Sequence, residues 1–205
     1  LNWQAVNKKR KLVILSGTID QEISLCEISS IDKNIALNIS RLLRSGGLDN
    51  YRKFLNCLNY LVVDEKLIPD DFLNITFYAD PYLHDWKNES GEKIGIISYK
   101  SLFLANEIEV NEKLNLQLRK CGLSPKTFFI STLKDHIIQK KLIEIFKKED
   151  IKLIITTTSF SSSQIKNNEL IENSTNIFTS LKIPILQLLS SNRSRKKWLN
   201  SSIGM

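Results

Sequence analysis

Histidine and cysteine are scarce in this 205-residue chain, and the few present are scattered. His84 and His136 are isolated from one another and from the cysteines, and Cys26, Cys57 and Cys121 form no CxxC pair. Zinc and iron–sulfur spacing is missing, so no metal site is expected and the cysteines read as reduced, partly buried residues. Long apolar runs are lacking as well. Nothing approaches the ~20 residues that span a bilayer, and no charged-then-apolar leader stands at the start, Leu1. These absences predict a cytosolic (cytoplasmic) protein with no membrane partner. The abrupt start and stop suggest a piece of something longer. GxSxG, Walker A, GxGxxG, HExxH and paired-carboxylate patterns do not occur, so no catalytic residue is named from a motif.

What remains is ordinary for a globular chain: 42% apolar and 25% charged residues, enough to bury a sizeable core. Lys and Arg number 29 against 22 Asp and Glu, a net charge of +7. Part of the excess sits in Lys8–Lys11 and in Arg193–Lys197. Neither cluster is interleaved with stacking aromatics, so solvated surface or an anionic small molecule is favoured and nucleic acid is not expected.

The informative stretch is Glu92–Trp198. Four short apolar runs, Lys93–Ser98, Thr127–Ser131, Leu153–Thr158 and Pro184–Leu189, alternate with helix-length segments. Runs of this kind read as buried strands, and the alternation implies βαβ units and an open parallel sheet of Rossmann or flavodoxin type. The helices are expected from Asn106 or Glu107 to Lys120, with Val110, Leu114 and Leu118 inward; from a Thr132 or Asp135 cap to Lys148, with Ile138, Leu142, Ile145 and Phe146 inward; and from Glu169 or Asn173 to Leu181. Ser194 is expected to cap a last basic helix holding Trp198.

Upstream, Leu12–Ser16 reads as a strand. Lys33–Leu43 reads as a helix burying Ile35, Ile39, Leu42 and Leu43, stopped by Gly46-Gly47. A second helix, capped by Asp49 or Asn50, runs through Leu61 with Tyr51, Phe54, Leu55, Leu58 and Leu61 as its stripe. This looks like a partial α/β unit. Residues 1–75 are therefore assigned to the end of a preceding α/β domain plus linker, and 76–205 to the parallel-sheet domain. The stretch Val63–Glu92 carries Phe72, Phe77, Tyr78, Tyr82, His84 and Trp86. A lid over a flat ligand is one reading of it, and packing onto the domain behind is the favoured one.

Parallel strands gather their following loops at one edge, where open α/β sheets bind ligands. Those loops are Tyr99–Ser101, Ser131–Asp135, Thr158–Ser163 and Ser190–Arg193. First-turn N–H groups of helices favour an anion there. Ser131, Thr132, Ser159, Ser161 and Ser191 offer hydroxyls, Lys134 and Arg193 offer charge, and Phe160 offers an apolar face. These eight are the expected substrate-binding residues.

Six segments also resemble, in order along the chain, the large subunit of aerobic cobaltochelatase (CobN type). Phe129–Asp135 resembles that family's V-S-S-L-K-D. Thr156–Ser161 resembles N-A-T-A-F-S, with Thr156 where the family has Asn. Ile183–Leu189 resembles V-P-V-L-Q-V-V. Lys93–Tyr99 and Gly46–Asn50 resemble two further words, and Ser201–Met205 is similar to S-S-R-G-L. The resemblance implies an N-terminal fragment of a cytosolic ligase of cobalamin biosynthesis, which inserts Co²⁺ into hydrogenobyrinic acid a,c-diamide. It implies ATP/Mg²⁺ handled by separate AAA+ partner subunits, and nothing bound by this segment but the tetrapyrrole. With two histidines available, the segment is expected to contribute substrate binding or scaffolding. The related magnesium chelatase large subunit, which acts on protoporphyrin IX, and a non-catalytic flavodoxin-like binding module are the alternatives.

Overall fold

A computed structural model of the chain describes residues 11–15, 22–69, 71, 74–84, 90–158, 165–166, 169–170, 181–188, 194, 196–197 and 200. The chain divides into two compact units, Leu1–Tyr78 with Leu104–Asn106, and Ala79–Phe103 with Glu107–Met205. No helix among the described residues is long and apolar enough to cross a membrane.

In the first unit the described elements are helical: α1 (Glu22–Glu27), α2 (Lys33–Ser45), α3 (Leu48–Val63) and a 3₁₀ turn, Glu65–Leu67. The Asp32 carboxylate starts α2 by accepting from the Asn34 and Ile35 N–H groups at 2.8 and 3.2 Å, satisfying donors that have no partner within the helix. Cys26, Ile31, Ala36, Ile39, Cys57 and Leu61 form the core, and burial pushes the Cys57 thiol pKa up. Gly46 and Gly47 take φ of 63° and 85°, and a Cβ on Gly47 would lie 2.4 Å from the Tyr78 ring. Only glycine fits that turn.

Two expectations for this unit are corrected. Leu12–Leu15 do not form the strand read there. With no partner strand among the described residues, Leu12 N–H donates to Ser30 Oγ (2.5 Å) and Ile14 N–H to Ser29 Oγ (2.9 Å). Helix α3 begins after Gly47 rather than at an Asp49 or Asn50 cap. Asn50 is buried instead. Its Nδ2 donates to Gly46 O (2.7 Å) and Thr76 O (2.9 Å), and its Oδ1 accepts from Thr76 N–H (2.8 Å).

The second unit is built on a five-stranded sheet. Its strands are β1 (Tyr82–His84), β2 (Lys93–Tyr99), β3 (Ser124–Ile130), β4 (Leu153–Thr156) and β7 (Ile185–Gln187), in the order β1-β3-β2-β4-β7. Strands β3, β2, β4 and β7 run parallel, as the alternation of runs predicts, and β1 joins β3 antiparallel. A small separate pair joins β5 (Ile165–Lys166) and β6 (Glu169–Leu170). Among the described residues three helices accompany it: α4 (Lys100–Leu104, whose last residue falls in the first unit), α5 (Glu109–Lys120) and α6 (His136–Lys148).

Side chains alternate across each strand, so the sheet carries two apolar faces. Ile97, Phe128, Ile130 and Ile154 meet Ile138, Leu142 and Phe146 of α6. Ile94, Ile96 and Ile155 meet Leu114 and Leu118 of α5. Helix α6 approaches closely because Gly95 has no side chain. A Cβ there would stand 3.2 Å from both Phe146 Cζ and Ile151 Cγ2. Phe146 also packs edge-on to Phe128, with ring centroids 5.0 Å apart.

Four further differences from the sequence reading have physical reasons. Tyr82 and His84 belong to the edge strand β1, paired opposite Phe129 and Thr127, and their rings pack on Phe103 and Phe129. Three residues are too few to show a strand period. Second, Val110 of α5 is exposed, and Asn111 and Asn115 are buried beside the expected Leu114 and Leu118. The inward Thr127 hydroxyl requires a partner and exchanges two bonds with the Asn115 amide, at 3.0 and 3.1 Å. Third, Lys100–Leu104 is helical rather than loop. Fourth, Glu169 and Leu170 sit in β6, not in a helix; residues 171–180 of that expected helix lie outside the described residues, and Leu181 at its end is helical. Ser194 Oγ does accept from Lys197 N–H (3.4 Å), while Trp198 lies outside them.

Replacing Phe146 with Ala is expected to cost about 3–5 kcal/mol of stability through the cavity it leaves. Gly95→Val is expected to cost about 1–3 kcal/mol by overpacking the same spot. Urea unfolding of each variant measures both.

Candidate functional site

In the sheet order, β3 lies on one side of β2 and β4 on the other. The chain thus leaves β2 in one direction and returns across it in the other, which opens a crevice at the carboxyl end of β2. A cavity of about 440 Å³ lies at this edge, lined by Tyr99, Ser101, Ser131, Thr132 and Lys134. Three of the eight expected site residues, Ser131, Thr132 and Lys134, therefore share one wall. The other five, Ser159, Phe160, Ser161, Ser191 and Arg193, lie outside the described residues. Trp86 of the aromatic stretch does too, while His84 is packed among rings.

The loop from Ser131 to Asp135 is fixed from below and from within. Leu133 is buried in the core under α6, and its carbonyl accepts from the Gln139 side-chain amide. Thr132 Oγ1 accepts from Lys134 N–H (3.1 Å). The Asp135 carboxylate caps α6 by accepting from Ile137 N–H (2.8 Å). The chain's own carboxylate thus uses a donor at this helix N-terminus. The Ser131 N–H points to a second carboxylate, Asp80, at 3.3 and 3.4 Å from its two oxygens. Lys141 Nζ donates to the Asp80 carbonyl at 3.3 Å. What the cavity wall presents to a ligand is therefore side-chain chemistry: the hydroxyls of Ser101, Ser131 and Thr132 and the Lys134 ammonium, with Tyr99 lining the wall but its phenolic oxygen buried.

Between β2 and β4 the edge is filled by hydroxyls. Thr157 Oγ1 donates to Ser98 Oγ (2.9 Å), with Ile97 O also within reach (3.2 Å). Thr156 and Thr158 share a hydrogen bond (2.8 Å), and Gln187 Nε2 donates to Thr158 O (3.3 Å). Thr156 and Thr158 are buried. This ladder ties β2, β4 and β7 together. The sequence reading placed these threonines at the end of a strand and missed their mutual bonding; the run Thr156-Thr157-Thr158 was the available signal. Asp80 was missed as well, because it lies 51 residues before the amide it meets. Among the described residues no cluster of three or more His, Cys, Asp or Glu could hold a metal ion.

Comparison with known proteins adds the lineage. The family model described as CobN/Magnesium Chelatase matches residues 40–205. Over 204 residues the chain is 22% identical to the aerobic cobaltochelatase subunit CobN of Pseudomonas aeruginosa, covering 95% of this chain and 16% of that protein. Over 200 residues it is 28% identical to the uncharacterized protein MJ0908 of Methanocaldococcus jannaschii, covering 86% of this chain and 16% of that one. The catalytic subunit of cobaltochelatase from Mycobacterium tuberculosis has a similar fold, with a TM-score of 0.72 at 19% identity over 92% of this chain and 16% of that chain. The chain thus spans 16% of the length of the relatives it matches.

A structural role for the hydroxyl ladder predicts that Thr157→Val lowers stability by roughly 1 kcal/mol, the net worth of a buried hydrogen bond. Unfolding midpoints read this directly, and an unchanged midpoint would remove the ladder from the account.

Proposed function

The chain belongs to the CobN/magnesium chelatase family, and from that premise we propose that it is a tetrapyrrole-binding and scaffolding segment of a metal-inserting chelatase large subunit. The observation that carries this reading is the cavity at the carboxyl edge, whose wall combines three hydroxyls and Lys134 with the side of Tyr99. Its volume of about 440 Å³ falls in the range of small-molecule sites. It suits one edge of a macrocycle together with a carboxylate arm. Lys134 answers the carboxylate's charge, Ser131 and Thr132 donate to its oxygens, and the Tyr99 ring meets apolar ring surface.

The proposed branch is the cobalt one. Two of the relatives carry cobaltochelatase in their names, which supports hydrogenobyrinic acid a,c-diamide as the ligand and Co²⁺ as the metal substrate. Metal insertion and ATP hydrolysis are assigned to other parts of the assembly, the latter to AAA+ partner subunits. Within this segment the residues bind and orient; they do not ligate the metal.

Titration of the large subunit with hydrogenobyrinic acid a,c-diamide, followed by absorbance, tests the proposal. Lys134→Ala is expected to weaken binding by about tenfold, the value of one charge-assisted hydrogen bond, while Lys152→Ala, at an exposed ion pair with Asp150, leaves it unchanged. Equal binding by the Lys134 variant would overturn the assignment. Tighter binding of protoporphyrin IX than of the corrin precursor would move the protein to the magnesium branch. Asp80→Asn removes a negative charge beside the Ser131 amide and is expected to tighten binding by about two- to fivefold through relief of like-charge repulsion; the same titration measures it.

A further inference from the structure

Helix α3 is apolar on two adjacent faces, and the core uses only one of them. Asn50, Phe54, Cys57 and Leu61 turn inward at a spacing of four, three and four residues. Leu48, Tyr51, Leu55, Leu58 and Val62 form a second stripe at a spacing of three, four, three and four. Leu48 is 42% exposed, Leu55 57%, Leu58 36% and Val62 86%. The sequence reading counted Leu55 and Leu58 in the buried face, and the structure leaves them in solvent. Polar residues Asp49, Arg52, Asn56 and Asn59 occupy the third side. A three–four repeat of apolar residues is the seam with which one helix packs lengthwise on another.

We infer that this stripe is the docking face for an amphipathic helix supplied by another part of the same large-subunit polypeptide. The inference rests on family membership, not on the tetrapyrrole reading. Two observations choose this occupant. First, the relatives contain this segment as 16% of a longer chain, so most of such a polypeptide is available to cover it. Second, the stripe is short. From Leu48 to Val62 it extends about 21 Å along the helix axis, two heptads at 1.5 Å per residue. It is thus shorter than the three to four heptads by which a self-standing coiled coil is recognised. A tethered helix can meet such a stripe at an effective concentration of up to about millimolar, which offsets a short contact. The matching helix carries apolar residues in the same three–four repeat, with neutral or acidic flanks opposite Arg52.

The test is photo-crosslinking in the full-length large subunit. A benzophenone maleimide is placed at Leu55→Cys or Val62→Cys, in a Cys121→Ser background because Cys121 is the exposed native thiol. Asn56→Cys, on the polar side, is the reference. The expected result is an intrachain adduct at positions 55 and 62, in a segment outside residues 1–205 with the three–four apolar repeat, and little adduct at position 56. Adducts to a second copy, to another polypeptide or within residues 1–205 would overturn the inference, as would equal yields at 55 and 56. Because the readout is an adduct, it stands or falls independently of tetrapyrrole affinity.

Discussion

The second unit depends on the contact between Phe146 and Gly95. A helix lies close against a sheet only where nothing projects between them, and the glycine in the central strand provides that gap. Phe146 enters it from α6 and meets Phe128 on the next strand. This contact sets the height of α6 over the sheet, and with it the position of the loop that leads into α6. Leu133, buried in the same core, pins that loop from below. The cavity wall is therefore held by packing, and its hydroxyls and ammonium stand on a rigid base.

The electrostatics of the edge follow from where the chain puts its own carboxylates. An empty helix N-terminus attracts anions. Here Asp135 caps α6 and Asp80 meets the Ser131 amide, so two internal acids already answer part of that field. In the proposed reading, recognition of an anionic ligand falls to side chains that line the cavity, Lys134 foremost. Among the described residues the threonine ladder fills the edge on the β4 side, and the cavity lies on the β3 side.

Much of this was legible in the chain because strand and helix periods fit the fold. The runs at β2, β3 and β4 are long enough to declare themselves, and Asp32 and Asp135 cap helices as their positions suggest. Three features escaped for separate reasons. The edge strand β1 is too short for a pattern and owes its place to pairing and ring packing. Asn50, Asn111 and Asn115 are buried, against the polarity rule, and Asn50 and Asn115 are bonded to partners that are remote in sequence. In α3 two apolar faces adjoin, and a pattern read along the sequence cannot tell the one that meets the core from the one that does not. At the site, Ser131, Thr132 and Lys134 were readable as the polar residues after a strand, whereas Asp80 reaches them only through the fold.

The account turns on a tetrapyrrole carboxylate meeting the wall between β2 and β3. Backbone amide shifts measured while hydrogenobyrinic acid a,c-diamide is titrated into isotope-labelled protein test this directly. The account predicts saturable shifts centred on Ser101, Ser131, Thr132 and Lys134. Saturable shifts that leave these four amides unmoved would contradict it.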